Sequence, residues 1–151
     1  MRKLLLPIPT ILFLAESCLC QPAPNEVSLC LLQQSVRQGE HLRVRTSGVF
    51  TEGLELGVLD DSACPEEQTW VELALRTQKN KERLREILDR SHQVYVVFEG
   101  DLYGPPLPYP KLPEKLRENY HPNWGHLNCC RTKLVVRKII DVQPAPPEPE
   151  Q

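Results

Sequence analysis

The side chains best suited to holding a ligand are concentrated in residues 101–128 (DLYGPPLPYPKLPEKLRENYHPNWGHLN), a stretch with six prolines and the aromatics Tyr103, Tyr109, Tyr120 and Trp124. Tyrosine and tryptophan bury large areas with few rotamers to lose, which is why they dominate binding hot spots. Tyr103, Tyr109, Tyr120, Trp124 and the neighbouring His126 are therefore the candidate ligand contacts, with Trp124 and Tyr109 foremost. Gly125 permits a tight turn that would present the Trp124 indole at a rim. A segment that only covers an open end of the fold and shields a sheet edge needs the same residues, with Trp124 as a plug. His121, His126, Cys129 and Cys130 fall within ten residues and offer nitrogen and sulfur. The spacing His-x4-His-x2-Cys-Cys has no zinc knuckle of the Cys-x2-Cys kind, so no metal and no cofactor is expected.

Catalytic signals are sparse. There is no Gly-x-Ser-x-Gly elbow, phosphate loop, His-Glu-x-x-His or Gly-x-Gly-x-x-Gly. Asp60 and Asp61, with Glu52 and Arg43 or Arg45, supply the groups of a metal-dependent nuclease: carboxylates for a metal and guanidinium groups for the scissile phosphate. Their spacing is loose, and a turn beside a solvated strand face uses the same residues. No catalytic residue is assigned.

The elements that must position these groups are legible in outline. Asn25 can cap a short helix over 26–36 with Val27, Cys30, Leu31 and Leu32 on one face. Residues 41–49 alternate Leu42, Val44 and Thr46 against Arg43, Arg45 and Ser47, the period of a half-buried strand, and Gly48 suggests a bulge or sharp bend. Strands are expected over 54–59 and 70–75. The clearest helix, 80–90, carries the stripe Leu84, Ile87, Leu88 against a charged face. Strands over 93–100 and 133–142 are β-branched and apolar on both faces, as in a central or closed position. The tail 143–151 holds four prolines and is expected to be extended and disordered.

The chain has 151 residues, of which 40% are hydrophobic and 25% charged, enough for one packed domain. Residues 1–20 read as a signal peptide: Arg2 and Lys3, about a dozen mostly apolar residues, then small and polar ones. Cleavage fits after Ser17 or Cys20, and a lipid anchor at Cys18 is the less favoured variant. The mature chain, with 16 basic and 19 acidic residues, has a net charge of −3, against dense electrostatic binding of nucleic acid. It has no further apolar run long enough to cross a bilayer. The expected place is therefore outside the cytoplasm, periplasmic or extracellular, and the domain spans 21–142.

Three strands, a helix and two strands, with Gly39-x-x-Leu42-x-Val44-x-Thr46-x-Gly48-Val49 first and Val96-x-Phe98-x-Gly100 near the end, resemble an OB barrel. The chain is also similar to uncharacterised exported bacterial proteins in which such a barrel follows a short cysteine-bearing helix. The resemblance implies a mainly β fold with one or two helices: a five-stranded OB-like Greek-key barrel (β-β-β-α-β-β) preceded by a short N-terminal helix. It departs from the pattern in the length of the loop 101–128, which in OB barrels frames the ligand cleft. Four mature cysteines allow three complete pairings, or one bridge with two thiols. Cys129 joined to Cys130 would close a strained eight-membered ring. Cys30–Cys64, tying the helix to the loop after the second strand, is the expected bridge, and the resemblance suggests the same two positions. The function expected is an exported non-enzymatic binding or accessory module for an unspecified ligand or protein partner. The alternatives are a secreted nuclease-like hydrolase and a structural or lipid-anchored envelope protein.

Overall fold

The computed structural model describes residues 25–53, 57–75, 79–107, 122–125 and 128–147. The expected signal peptide 1–20, part of the expected second strand (54–56) and the end of the tail (148–151) lie outside the described residues. The fold is mainly β with two helices: α1 (Leu29–Ser35), β1 (His41–Glu52), β2 (Gly57–Asp60), β3 (Thr69–Leu73), α2 (Lys81–Ser91), β4 (Gln93–Tyr103) and β5 (Thr132–Pro144). The five strands form one mixed sheet that closes on itself in the order β1-β2-β3-β5-β4. Every pairing is antiparallel except β3 with β5.

Alternation in β1 does what period 2 demands. Val44, Thr46, Gly48 and Phe50 point inward, while Arg43, Ser47 and Val49 stay at least partly exposed; Leu42, expected on the inward face, lies near the strand end and is exposed. Gly48 causes no bulge: β1 pairs with β4 in unbroken register from His41↔Tyr103 to Thr51↔Gln93. The glycine is needed because the Asp60 carbonyl of β2 passes where a Cβ would stand. The register shifts fall instead between β4 and β5, at Val97/Phe98 and Glu99/Gly100. Phe50 and Phe98 meet edge to face at 5.7 Å in the centre of the core, among Leu59, Val96, Leu102, Leu134, Val136 and Ile139.

α2 buries Leu84 and Leu88 and half-buries Ile87, the stripe its sequence announces. Asn80 bolts its start to β5 by donating to the Ile139 and Ile140 carbonyls at 3.2 and 2.9 Å. The acidic Glu82 in the first turn and Arg90 in the last suit the helix dipole.

α1 departs from expectation. It begins at Leu29, because Glu26 bridges to Arg45 and the Val27 amide donates to the Arg45 carbonyl at 2.9 Å. Extension of β1's neighbour chain has displaced the first helical turn, and the buried set becomes Leu29, Cys30, Leu32 and Gln33, leaving Val27 and Leu31 exposed. Ser28, not Asn25, precedes the helix, and its own side chain caps nothing. The Asp61 carboxylate does that work from across the fold, accepting from the Ser28 hydroxyl at 2.8 Å and the Cys30 amide at 3.4 Å. Cys30 and Cys64 form a disulfide beside it. Gln33 then donates to Thr69 at 2.8 Å, and Thr69 shares a 2.7 Å hydrogen bond with Thr132, so a buried polar chain ties α1 to β3 and β5.

Two boundaries move. β4 runs on to Tyr103, so Asp101, Leu102 and Tyr103 belong to a strand and the long connection starts at Gly104. β5 runs to Pro144, pairing Gln143 and Pro144 with Tyr95 and Val94, two residues into the stretch expected to be tail.

Candidate binding cleft

One transverse row of outward side chains crosses the ring. The registers put His41 beside Tyr103, Tyr103 beside Lys133 and Lys133 beside Trp70. Strand alternation forces these side chains out, since Leu102, Leu134 and Val71 on either side are buried in the core. His41 stacks on Tyr103 at 5.4 Å.

Trp124 completes the row from the β4–β5 connection. Its backbone pairs both ways with Cys130, at 2.7 and 3.1 Å, which pins the end of the connection as a short antiparallel bridge. Its indole N–H donates to the Gly104 carbonyl at 2.8 Å, fixing the ring, and its edge-to-face contact with Tyr103 spans 6.3 Å. Gly125 follows with φ +78°, and any side chain there would run into the Trp70 indole. The two tryptophans of the chain are thus held together by a glycine that has no substitute.

The Lys133 ammonium lies 4.3 Å from the centroid of the Trp124 ring, 5.3 Å from that of Tyr103, and 3.3 Å from the Glu72 carboxylate. Beside this group opens a cleft of about 580 Å³ lined by Trp70, Trp124, Lys133, Glu52 and Glu72, with Phe50 and Val71 among the apolar lining residues. That volume suits a small molecule or a short stretch of polymer. Chemically the cleft offers aromatic faces, two carboxylates and one ammonium.

Of the residues expected at a binding site, Trp124 and Tyr103 come together here, Tyr103 as the last residue of β4 rather than as part of a loop. Tyr109, Tyr120 and His126, together with His121, lie outside the described residues. Trp124 is half-buried and hydrogen-bonded, with its ring against Lys133 and Tyr103, and is not one of the buried core side chains. Trp70 and Lys133 were not expected as site residues. The available signal was the parallel between Thr69-Trp70 and Thr132-Lys133, each a buried threonine followed by an outward side chain; only the β3–β5 pairing makes them neighbours.

Of the groups considered for a nuclease, Glu52 lines this cleft, while the arginines and Asp61 are engaged elsewhere. Arg43 and Arg45 both donate to Glu99, at 2.8 and 3.3 Å. The Arg43 hydrogen bond, with burial opposing and Arg45 assisting, holds the Glu99 carboxyl below its ordinary range. Burial works against the Asp61 carboxylate, but the Ala63 amide, the Ser28 hydroxyl and the Cys30 amide outweigh it and keep that group below its usual value. Burial pushes Asp60 the other way, against a hydrogen bond from Gln68. Among the described residues, Cys30, Asp61 and Cys64 are close enough to share a metal, yet the two sulfurs are spent on each other in the disulfide. Cys129 is exposed and Cys130 buried, both as free thiols. Burial, with Cys129 adding to it, pushes the Cys130 thiol up to about 12. Among the described residues no helix is long and apolar enough to cross a membrane.

Comparison with protein-family models, with curated proteins and with solved structures finds no match to this chain.

Proposed function

We propose that this chain is an exported, non-enzymatic binding module on an OB-like Greek-key barrel, with the Trp70–Trp124 cleft as its binding surface. The observation that carries the reading is the convergence of both tryptophans of the chain, with Lys133, on one open cleft, Tyr103 packing behind Trp124 and Lys133. Supporting it, the closed order β1-β2-β3-β5-β4 with α2 between β3 and β4 fits the OB arrangement. The cleft lies on β3, between the β1–β2 connection at Gly53 and the β4–β5 connection at Trp124, and OB barrels take their ligands on that face between those two loops. The disulfide fits an oxidising compartment, in line with the signal-like residues 1–20.

The two indoles are the only tryptophan fluorophores, so intrinsic emission reports occupancy of the cleft directly. Titration with oligosaccharides, peptides and single-stranded oligonucleotides should give, for one class, a saturable change without turnover, and Trp70→Ala should abolish it. Metal-dependent cleavage of DNA or RNA would refute the non-enzymatic reading. A ligand that binds with both tryptophans unperturbed would put the site elsewhere. Intact-mass analysis of exported protein that still carries residues 1–15 would overturn the export reading.

A further inference from the structure

We infer that the ligand of this cleft is a basic peptide segment, whose lysine or arginine side chain is held between the indoles and the carboxylates of Glu52 and Glu72. The inference rests on the binding reading above.

The cleft already shows how it holds a cation. The Lys133 ammonium sits over the Trp124 ring at 4.3 Å with the Glu72 carboxylate 3.3 Å away. The negative face of an indole and a carboxylate attract the same kind of group, and attraction to the ring strengthens as water is excluded. Trp70 and Glu52 add further aromatic surface and negative charge to the lining of the same cleft.

Charge decides between ligand classes. Two carboxylates and one ammonium line the cleft, and the ammonium is already paired with Glu72, which leaves the exposed Glu52, bordered on its far side by Lys81 and Arg85, as the remaining charge of the cleft. An anionic ligand would meet two carboxylates and a lysine that has a partner. A basic side chain finds complementary groups without any rearrangement of the strands. About 580 Å³ in an open cleft admits a few side chains of an extended chain rather than a folded surface.

Lys133 is then an internal competitor. It occupies the Trp124 face and the Glu72 carboxylate in the free protein, and an arriving cation must share or displace it. Removing the lysine should therefore tighten binding of cations, an effect that a merely structural lysine would not have.

The test is fluorescence titration of the full mature protein at low salt with three blocked probes: a tetra-arginine peptide, a tetra-glutamate peptide and an uncharged tetrasaccharide. Tetra-arginine should saturate at least tenfold more tightly than the other two. Lys133→Gln should tighten it about threefold to tenfold, and Glu52→Gln, at an exposed strand end, should weaken it by a similar factor. If tetra-arginine binds but Lys133→Gln fails to tighten it, the attraction is general to an acidic surface and the inference is overturned. Tighter binding of tetra-glutamate or the tetrasaccharide overturns it while leaving the cleft as a binding site. Silence from all three probes also overturns it, and the wider panel above then decides whether the cleft binds anything.

Discussion

Opening the Cys30–Cys64 disulfide should cost this domain a large part of its stability, through the unfolded chain more than through the folded one. The bridge joins residues 34 apart in sequence, and in the chain-entropy model a closed loop of that size restricts the unfolded ensemble by about 3.8 kcal/mol. The folded state has little to add. Cys64 is half-buried, Cys30 is buried but stands outside the main apolar cluster, and α1 retains its other ties when the bridge is opened: the Asp61 carboxylate on the Cys30 amide, and the Gln33 hydrogen bonds to Thr69 and to the Glu67 carbonyl. For a domain of this size a loss of that magnitude lowers the melting temperature by about 15 °C. The comparison is between the protein and Cys30→Ala/Cys64→Ala, both carrying Cys129→Ser so that the exposed thiol cannot reshuffle, by calorimetry and urea unfolding. A Cys30→Ser/Cys64→Ser pair should fall by nearly the same amount, since the effect belongs to loop closure. A loss below about 1.5 kcal/mol would refute the reasoning, because loop closure then constrains far less than the model requires. A non-reducing peptide map linking Cys30 to Cys129 or Cys130 would refute the pairing itself.

Four further outcomes are expected. Thr46 is fully buried and its hydroxyl has no partner, so Thr46→Val should be neutral or stabilise by about 1 kcal/mol in urea unfolding; a clear loss would mean the hydroxyl is satisfied after all. Gly125→Ala should destabilise the protein and shift the emission of both tryptophans, since the φ of +78° is unfavourable for alanine and its methyl group would meet Trp70; an unchanged spectrum would contradict that packing. Glu99 has a depressed folded value, so its contribution is present above the ordinary glutamate range and vanishes as pH falls through the folded value; Glu99→Gln should be less stable at neutral pH and converge on the parent at acid pH, and a constant difference across the range would count against it. Iodoacetamide at pH 8 should alkylate exposed Cys129 and spare Cys130, whose thiol stays protonated there; equal labelling in mass spectrometry would show that the Trp124–Cys130 bridge opens readily.

What could be read in advance was local. Two-residue alternation in β1 and the Leu84, Ile87, Leu88 stripe of α2 each follow from neighbours a few positions apart, and both elements appear with the expected inward faces except at Leu42, which the strand end leaves exposed. α1 shows the limit. Its propensity to start near Glu26 is overridden by the pairing of Glu26 and Val27 with Arg45, a contact no helical period reveals. The site was half visible for the same reason. Trp124 and Tyr103 announced themselves as aromatics in a proline-rich stretch, whereas Trp70 and Lys133 acquire meaning only through a parallel pairing that joins residues about as far apart as Thr69 and Thr132, 63 positions. Nothing in either strand alone specifies its partner.

That parallel pairing also sets an order of events. β5 lies between β3 and β4 and supplies the missing partner to both, together with Leu134, Val136, Ile139 and Val142 for the core. A chain emerging from its N-terminus has made every other strand before β5 appears, so β3 and β4 must wait with unpaired edges, the condition most prone to joining a second chain. Loop closure over so long a separation is slow, and ring formation belongs to the end of synthesis. The Cys30–Cys64 bridge is under no such delay, since both of its halves precede β3. A chain ending before β5 would therefore present a four-stranded open sheet with its first helix already stapled in place, soluble only for as long as something else covers those two edges.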